Sequence, residues 1–196
     1  MAEEEKVITI TTDFFALIPI QRMVNKVVNK RLAVNDMDLP EPIEYLLAMQ
    51  VEFFEFLNEL GTWKWWKHSH EIKRDRVLDE LADCFAFFLS AIDVESELAK
   101  AQGIDDFIPQ VESQIADFIL SLAEYESNVE GEYQAITELI TYVGTDNEVK
   151  GVVTVERFAI AIFIATVLFE GITWDEITQA YKEKSAVNIK RQEENY

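Results

Sequence analysis

The sequence predicts an all-α protein, and three observations carry that prediction. Apolar residues recur at helical spacing along much of the chain, as in Leu17, Ile20, Val24, Val27, Val28 and Leu32. Helix punctuation brackets such stretches: Pro42 opens one that Gly61 closes, and the capping box Thr173-Trp174-Asp175-Glu176 opens another. Strand signals are weak, because Val7 to Thr12 alternates but has no obvious partner strand and reads as an extended lead-in.

Taken in order, Asp13 is a reasonable cap for a first helix, which either starts or kinks at Pro19. Gln21 and Asn25 lie four apart and share a face of it. Such a pair is usually a solvated stripe, and an amide pair can also read the edge of a base. After a loop over 35–40, the second helix runs from Pro42 towards Gly61, with Ile43, Leu46, Leu47, Phe54 and Leu57 as the stripe expected to meet a core. The connector Thr62 to Arg76 is a basic island that holds Trp63, Trp65 and Trp66. It fits two readings, phosphate-binding cations beside a site or a solvated loop pinned by aromatic packing. His68 and His70 are too few and too tightly spaced for zinc.

The third helix continues past Asp83 into Cys84 to Ile92, a run without a charge. Gly103 to Pro109 breaks the pattern; Val111 to Tyr125 and Tyr133 to Tyr142 read as amphipathic helices, and Gly144 to Gly151 as a loop. Thr154 caps an apolar helix that ends at Gly171, and its run Phe158 to Phe169 is well short of the ~20 residues of a membrane span. The final helix carries Ile177, Ala180, Tyr181 and Ser185. The expected architecture is one domain over 1–196, a bundle with helices on both sides of the central pair.

With 49% hydrophobic and 28% charged residues over 196 positions, the chain is long and apolar enough to bury a core. A formal charge of −20 argues against a nucleic-acid duplex or an anionic membrane as partner. The lone Cys84 excludes an internal disulfide framework and, among Phe85, Phe87 and Phe88, reads as a small core residue. Met1 to Glu5 is acidic and lacks the order of a signal peptide, so a soluble, cytoplasmic protein is expected.

Two carboxylate pairs carry the chemistry: Glu52-Phe53-Phe54-Glu55 and Glu80-Leu81-Ala82-Asp83, with Glu59 one turn further along. Residues three apart on a helix share a face, so each pair aims two acids one way. Their flanks are apolar, and carboxylates amid apolar surface repel one another and resist ionising unless a cation joins them. Mg²⁺ suits an all-oxygen set of this kind. Solvated acidic faces carry the same pattern, as Glu41-Pro42-Ile43-Glu44 does at a helix start, so spacing alone leaves both readings open.

In the tail, Tyr181, Lys184, Asn188, Arg191 and Gln192 follow helical spacing towards Tyr196. Together with Gln21 and Asn25, with Glu52, Glu55, Asn58 and Glu59, with Lys64 and Trp66, and with Glu80, Asp83 and Phe87, this order resembles the dimeric, all-α dUTPase family, relatives of the MazG-like nucleotide pyrophosphohydrolases. The resemblance implies a bundle of the all-α NTP pyrophosphatase type, a homodimer, and hydrolysis of dUTP, and often dUDP, to dUMP with two or more Mg²⁺ per site. It implies Glu52, Glu55, Glu80 and Asp83 as metal ligands, with Glu52 or Glu55 taking the proton of the attacking water. It also implies Gln21, Asn25 and Asn188 on the base and sugar side, Phe87 and Tyr181 beside the substrate, and Lys64, Trp66, Lys184, Arg191 and Tyr196 around the phosphates. Two departures stand out: Ala86-Phe87 where the family has His-Phe, and Asn195-Tyr196 where it has Gly-Tyr. The first leaves room for a sister enzyme acting on dCTP or another triphosphate. A non-catalytic acidic helical binding module also fits the charge, though not the Lys/Arg-rich segments beside the paired acids.

Overall fold

A computed structural model of the chain describes residues 14–69, 71–122, 158–159, 161–162, 165 and 172–194. The fold is all-α, as expected, with no strand among the described residues. Among the described residues the long helices are α1 (Ile18–Val34), α2 (Pro42–Leu60), α3 (Arg74–Ala101), α4 (Phe107–Leu122) and α5 (Trp174–Glu193).

The ends of these helices follow local chemistry. α1 starts at Ile18, with Pro19 in its first turn rather than at a kink, since the proline ring suits that turn, where its missing N–H goes unneeded. Asp13, the expected cap, lies outside the described residues. Glu41 and Glu44 form a reciprocal capping box at the head of α2, so that acidic pair is the helix start it reads as. Gly61 closes α2 with φ 63°, a left-handed turn that glycine enters without a Cβ clash. Thr173 and Glu176 cap α5 in the same reciprocal way. α4 begins at Phe107, four residues before the expected Val111, because Pro109 is tolerated within its first turn. The expected helix over Tyr133 to Tyr142, the Gly144 to Gly151 loop, the Thr154 cap and the Gly171 stop lie outside the described residues.

α2 and α3 form an antiparallel hairpin. Glu59 lies opposite Arg76, Glu52 opposite Asp83, and Tyr45 and Leu46 opposite Ala91. Behind the hairpin sits the core, fed by Phe53, Phe56, Leu57 and Leu60 of α2 and by Val77, Leu81, Phe85, Phe88 and Leu89 of α3. Phe158 stacks on Phe88 at 4.6 Å and meets Phe85 edge-on at 4.2 Å, while Phe14 closes against all three rings. Each such ring, fully withdrawn from water, contributes on the order of 2–3 kcal/mol. Phe158, Ala159, Ala161, Ile162 and Ala165 are all buried, in keeping with a core role for that apolar run. No described helix is long and apolar enough to cross a membrane.

One expectation fails in part. Leu46 and Leu57 do face the core, but Ile43, Leu47 and Phe54 are about half exposed or more. α2 carries two apolar rows, and the row Leu46, Met49, Phe53, Phe56, Leu60 takes the interior because its rings fill more of the space facing α3. The acids lie between the two rows.

A candidate carboxylate centre between α2 and α3

The hairpin brings Glu52, Glu80 and Asp83 together, each offering a carboxylate oxygen within 4.8 Å of the others. Glu80 is buried and its two companions are half-buried. Burial pushes the Glu52 carboxyl up to about 7, and the charges of Asp83, Glu55 and Glu80 push the same way. Burial likewise raises Glu80, with Glu55 adding to it and Arg76 opposing. Burial outweighs the Lys184 ammonium at Asp83, which is also raised. Glu55 is exposed, at the open side of the group, yet close enough to act on both Glu52 and Glu80.

Three crowded carboxylates in a partly dry cleft are an incomplete charge balance, which a divalent cation would complete. The donor set is all oxygen, which fits a hard ion such as Mg²⁺ better than a thiophilic one. Cys84 lies beside the acids but is buried, and its thiol is pushed well above its ordinary value, first by burial and then by Glu52. It is a core residue, as its surroundings suggest, and not a nucleophile.

Cations close the centre from two sides. Lys184 of α5 reaches Asp79 at 2.8 Å and Asp83 at 2.9 Å. Burial works against its charge, but those hydrogen bonds win and hold its pKa up. Arg76, in the first turn of α3, stands 3.4 Å from Glu80 and 3.9 Å from Glu59. A groove of about 400 Å³ lies between α3 and α5, with Asp75 and Asp79 on one wall and Lys184 and Arg191 on the other.

A family model described as dUTPase matches residues 13–196, nearly the whole chain. The chain belongs to the dUTPase family. As a member of this all-α family it is an enzyme, a dUTP diphosphatase, and its substrate is a small nucleotide. No curated protein matches the chain.

The remaining expected site residues of this dUTPase-family chain that the structure describes are spread over α1, α3, α5 and the connector. Gln21 and Asn25 are not a solvated stripe: Gln21 is 3% exposed and its Nε2 donates to Asn25 Oδ1 and to Ser90 Oγ, both at 2.9 Å. Tyr181, on what reads as a polar face, is fully buried and donates to Gln21 Oε1 at 2.8 Å. Phe87 is partly buried beside both core clusters. Asn188 is half-buried on α5, and Gln192 accepts from Arg31 at 2.9 Å.

The connector keeps its polar groups close to home. Lys64 donates to the Asn58 carbonyl at 2.9 Å, satisfying the open end of α2, and lies 5.3 Å over the Trp63 ring. Trp66 is exposed and meets Trp63 and Trp65 edge-on. Arg74 grips both oxygens of Glu176 at 2.7 Å, a pairing that holds the Glu176 carboxyl down to about 2. So the connector's aromatic packing is real, and Arg74 serves the α3–α5 junction. Tyr196 and His70 lie outside the described residues.

Sequence reasoning did not single out Asp79, Arg76 or Ser90 as site residues. Asp79 is four before Asp83, a spacing that puts both on one face. Ser90 is the one hydroxyl within the charge-free run after Asp83. Both signals were present, but neither carried weight without the neighbouring helix.

Proposed function

We propose that the chain hydrolyses dUTP, and dUDP with it, to dUMP in a Mg²⁺-dependent reaction that releases pyrophosphate or phosphate. The observation that carries this is the convergence of Glu52, Glu80 and Asp83 from two helices, in a chain of the dUTPase family. Glu52, Glu55, Glu80 and Asp83 would hold the metal, two or more ions per site. When bound, Mg²⁺ supplies polarisation of phosphate oxygens and a more acidic water.

The other parts belong to the chain. Glu52, half-buried within the group, or Glu55, exposed at its edge, would take the proton of the attacking water. Lys184 already stands against Asp83, and Arg191 shares its groove; with Lys64 they would counter charge on the leaving phosphates. Asn25 and Asn188 would meet base and sugar, with the buried Gln21 holding Asn25 from behind; Phe87 would wall the base, and Trp66 and Tyr196 would complete the phosphate side. Tyr181, fully buried, would act through Gln21 rather than on the substrate.

The molecule would work as a cytoplasmic homodimer of a single domain. Ile43, Leu47, Val51 and Phe54 recur every three or four residues on the outer face of α2, each about half exposed, which suits a self-complementary interface.

A panel of nucleoside triphosphates with pyrophosphate detection tests the reading. dUTP turnover is expected to need Mg²⁺ and to vanish in Glu52→Gln and Asp83→Asn, both retaining helical circular dichroism. Millimolar Mg²⁺ is expected to raise the melting temperature, because an ion that binds only the folded form stabilises it. Wild-type turnover in either variant, or a melt indifferent to Mg²⁺, would overturn the metal assignment.

A further inference from the structure

The carboxylate chemistry leaves one connected set of polar groups unused. Gln21, Ser90, Tyr181 and Ser185 are all buried, on three different helices. Buried polar groups are retained where their hydrogen bonds are satisfied, and a satisfied set holds its members in fixed orientation. Here the bonding runs in one direction. Ser185 hydrogen-bonds the Tyr181 hydroxyl, and Tyr181 passes its own proton to Gln21 Oε1 at 2.8 Å. With its oxygen so engaged, Gln21 turns Nε2 towards Asn25 Oδ1 and Ser90 Oγ, both at 2.9 Å. Ser90 shares its proton between Asn25 Oδ1 and the Ala86 carbonyl, again at 2.9 Å each.

Asn25 is the half-buried member of the set. Its Oδ1 faces inward and takes two of these bonds, from Gln21 and Ser90. A side-chain amide is planar, with oxygen and nitrogen on opposite sides, so its Nδ2 hydrogens are what Asn25 offers beyond the network. Donors suit a carbonyl. Uracil carries a carbonyl at the ring carbon where cytosine carries an amino group, itself a donor. A donor set against a donor leaves both unpaired, which is costly in a desolvated site.

We propose that Ser90 and Tyr181 are positioning residues for base choice: they hold the Asn25 amide with its N–H donors towards the base, so that the site accepts uracil and rejects cytosine. The inference rests on the reading above that Asn25 meets the base. Ser90 touches no substrate in this account; it acts through Asn25, and Tyr181 acts through Gln21.

The test compares kcat/KM for dUTP and dCTP in the full-length enzyme at saturating Mg²⁺. The wild type is expected to prefer dUTP; a preference for dCTP would mean that the amide presents its oxygen, and the proposal falls. Ser90→Ala is expected to lower the dUTP/dCTP ratio by about tenfold, the scale of one hydrogen bond between buried groups, through a higher KM for dUTP. Ser90→Thr, which keeps the hydroxyl, is expected to keep the ratio. Tyr181→Phe is expected to lower it as well, and it carries the test should Ser90→Ala fail to fold. A merely structural role would depress both substrates alike, so an unchanged ratio in both Ser90→Ala and Tyr181→Phe overturns the proposal. Asn25→Ala separates the two layers. If it shifts the ratio while the positioning variants do not, the base reading stands and this inference fails. If Asn25→Ala leaves the ratio untouched, the base reading itself fails.

Discussion

At Glu52, burial and three neighbouring carboxylates all favour the protonated form, and no metal is needed to see the consequence. A carboxyl that is raised on folding, from 4.5 to about 7, takes up a proton when the chain folds between those values. Its contribution to stability is therefore fully present below pH 4.5 and is lost as pH rises through about 7. Glu80 and Asp83, also raised, act in the same direction. In chelator, the melting temperature is expected to fall between pH 4.5 and 7, and Glu52→Gln is expected to flatten that fall; equal slopes in the two proteins would remove Glu52 from the coupled group. Glu176 runs the other way, since Arg74 holds it down to about 2, so its share is lost only as pH drops below 4.5 towards that value. The two effects occupy different windows and can be read from one pH series.

Helix ends and helix faces differ in how well they can be read from sequence. An end is decided by a few adjacent residues, so Pro42, Gly61 and the Thr173 capping box appear in the structure where the sequence places them. Thr173→Ala is expected to cost about 1 kcal/mol, the usual value of an N-cap, read as a lower denaturant midpoint with an unchanged slope. No change in midpoint would mean that the Arg74–Glu176 pairing alone holds that end of α5. Faces are decided elsewhere. α2 has two apolar rows, and nothing within the helix says which meets α3; ring volume and the shape of the facing core make that choice. The acidic pairs shared this ambiguity, because three-residue spacing describes a solvated stripe as well as it describes a ligand set.

Across the whole molecule, the outer row of α2 is the feature that a single chain leaves unexplained. Ile43, Leu47, Val51 and Phe54 expose apolar surface along one side of a helix whose other side is core, and a protein of charge −20 has ample means to be soluble without it. If the chain pairs through this row as proposed, Leu47→Glu is expected to give monomers, seen as a halved mass in sedimentation, since two buried charges would face each other across a two-fold axis. An unchanged mass would overturn pairing through this row. The carboxylate centre lies on the α2–α3 hairpin, so the same variant is also expected to keep its helical content.

By itself the sequence determined the all-α class, the helix ends at Pro42, Gly61 and Thr173, the acid pairs and the family, because each rests on local spacing or on the order of motifs along the chain. Only the tertiary structure decided that Glu52, Glu80 and Asp83 converge within 4.8 Å, that Lys184 bridges Asp79 and Asp83, and that Tyr181 and Ser90 meet on the buried Gln21. Those are meetings between residues up to 160 apart in the chain. Which of a helix's faces is buried is set by the neighbour that packs against it, and no periodicity within one helix can name that neighbour.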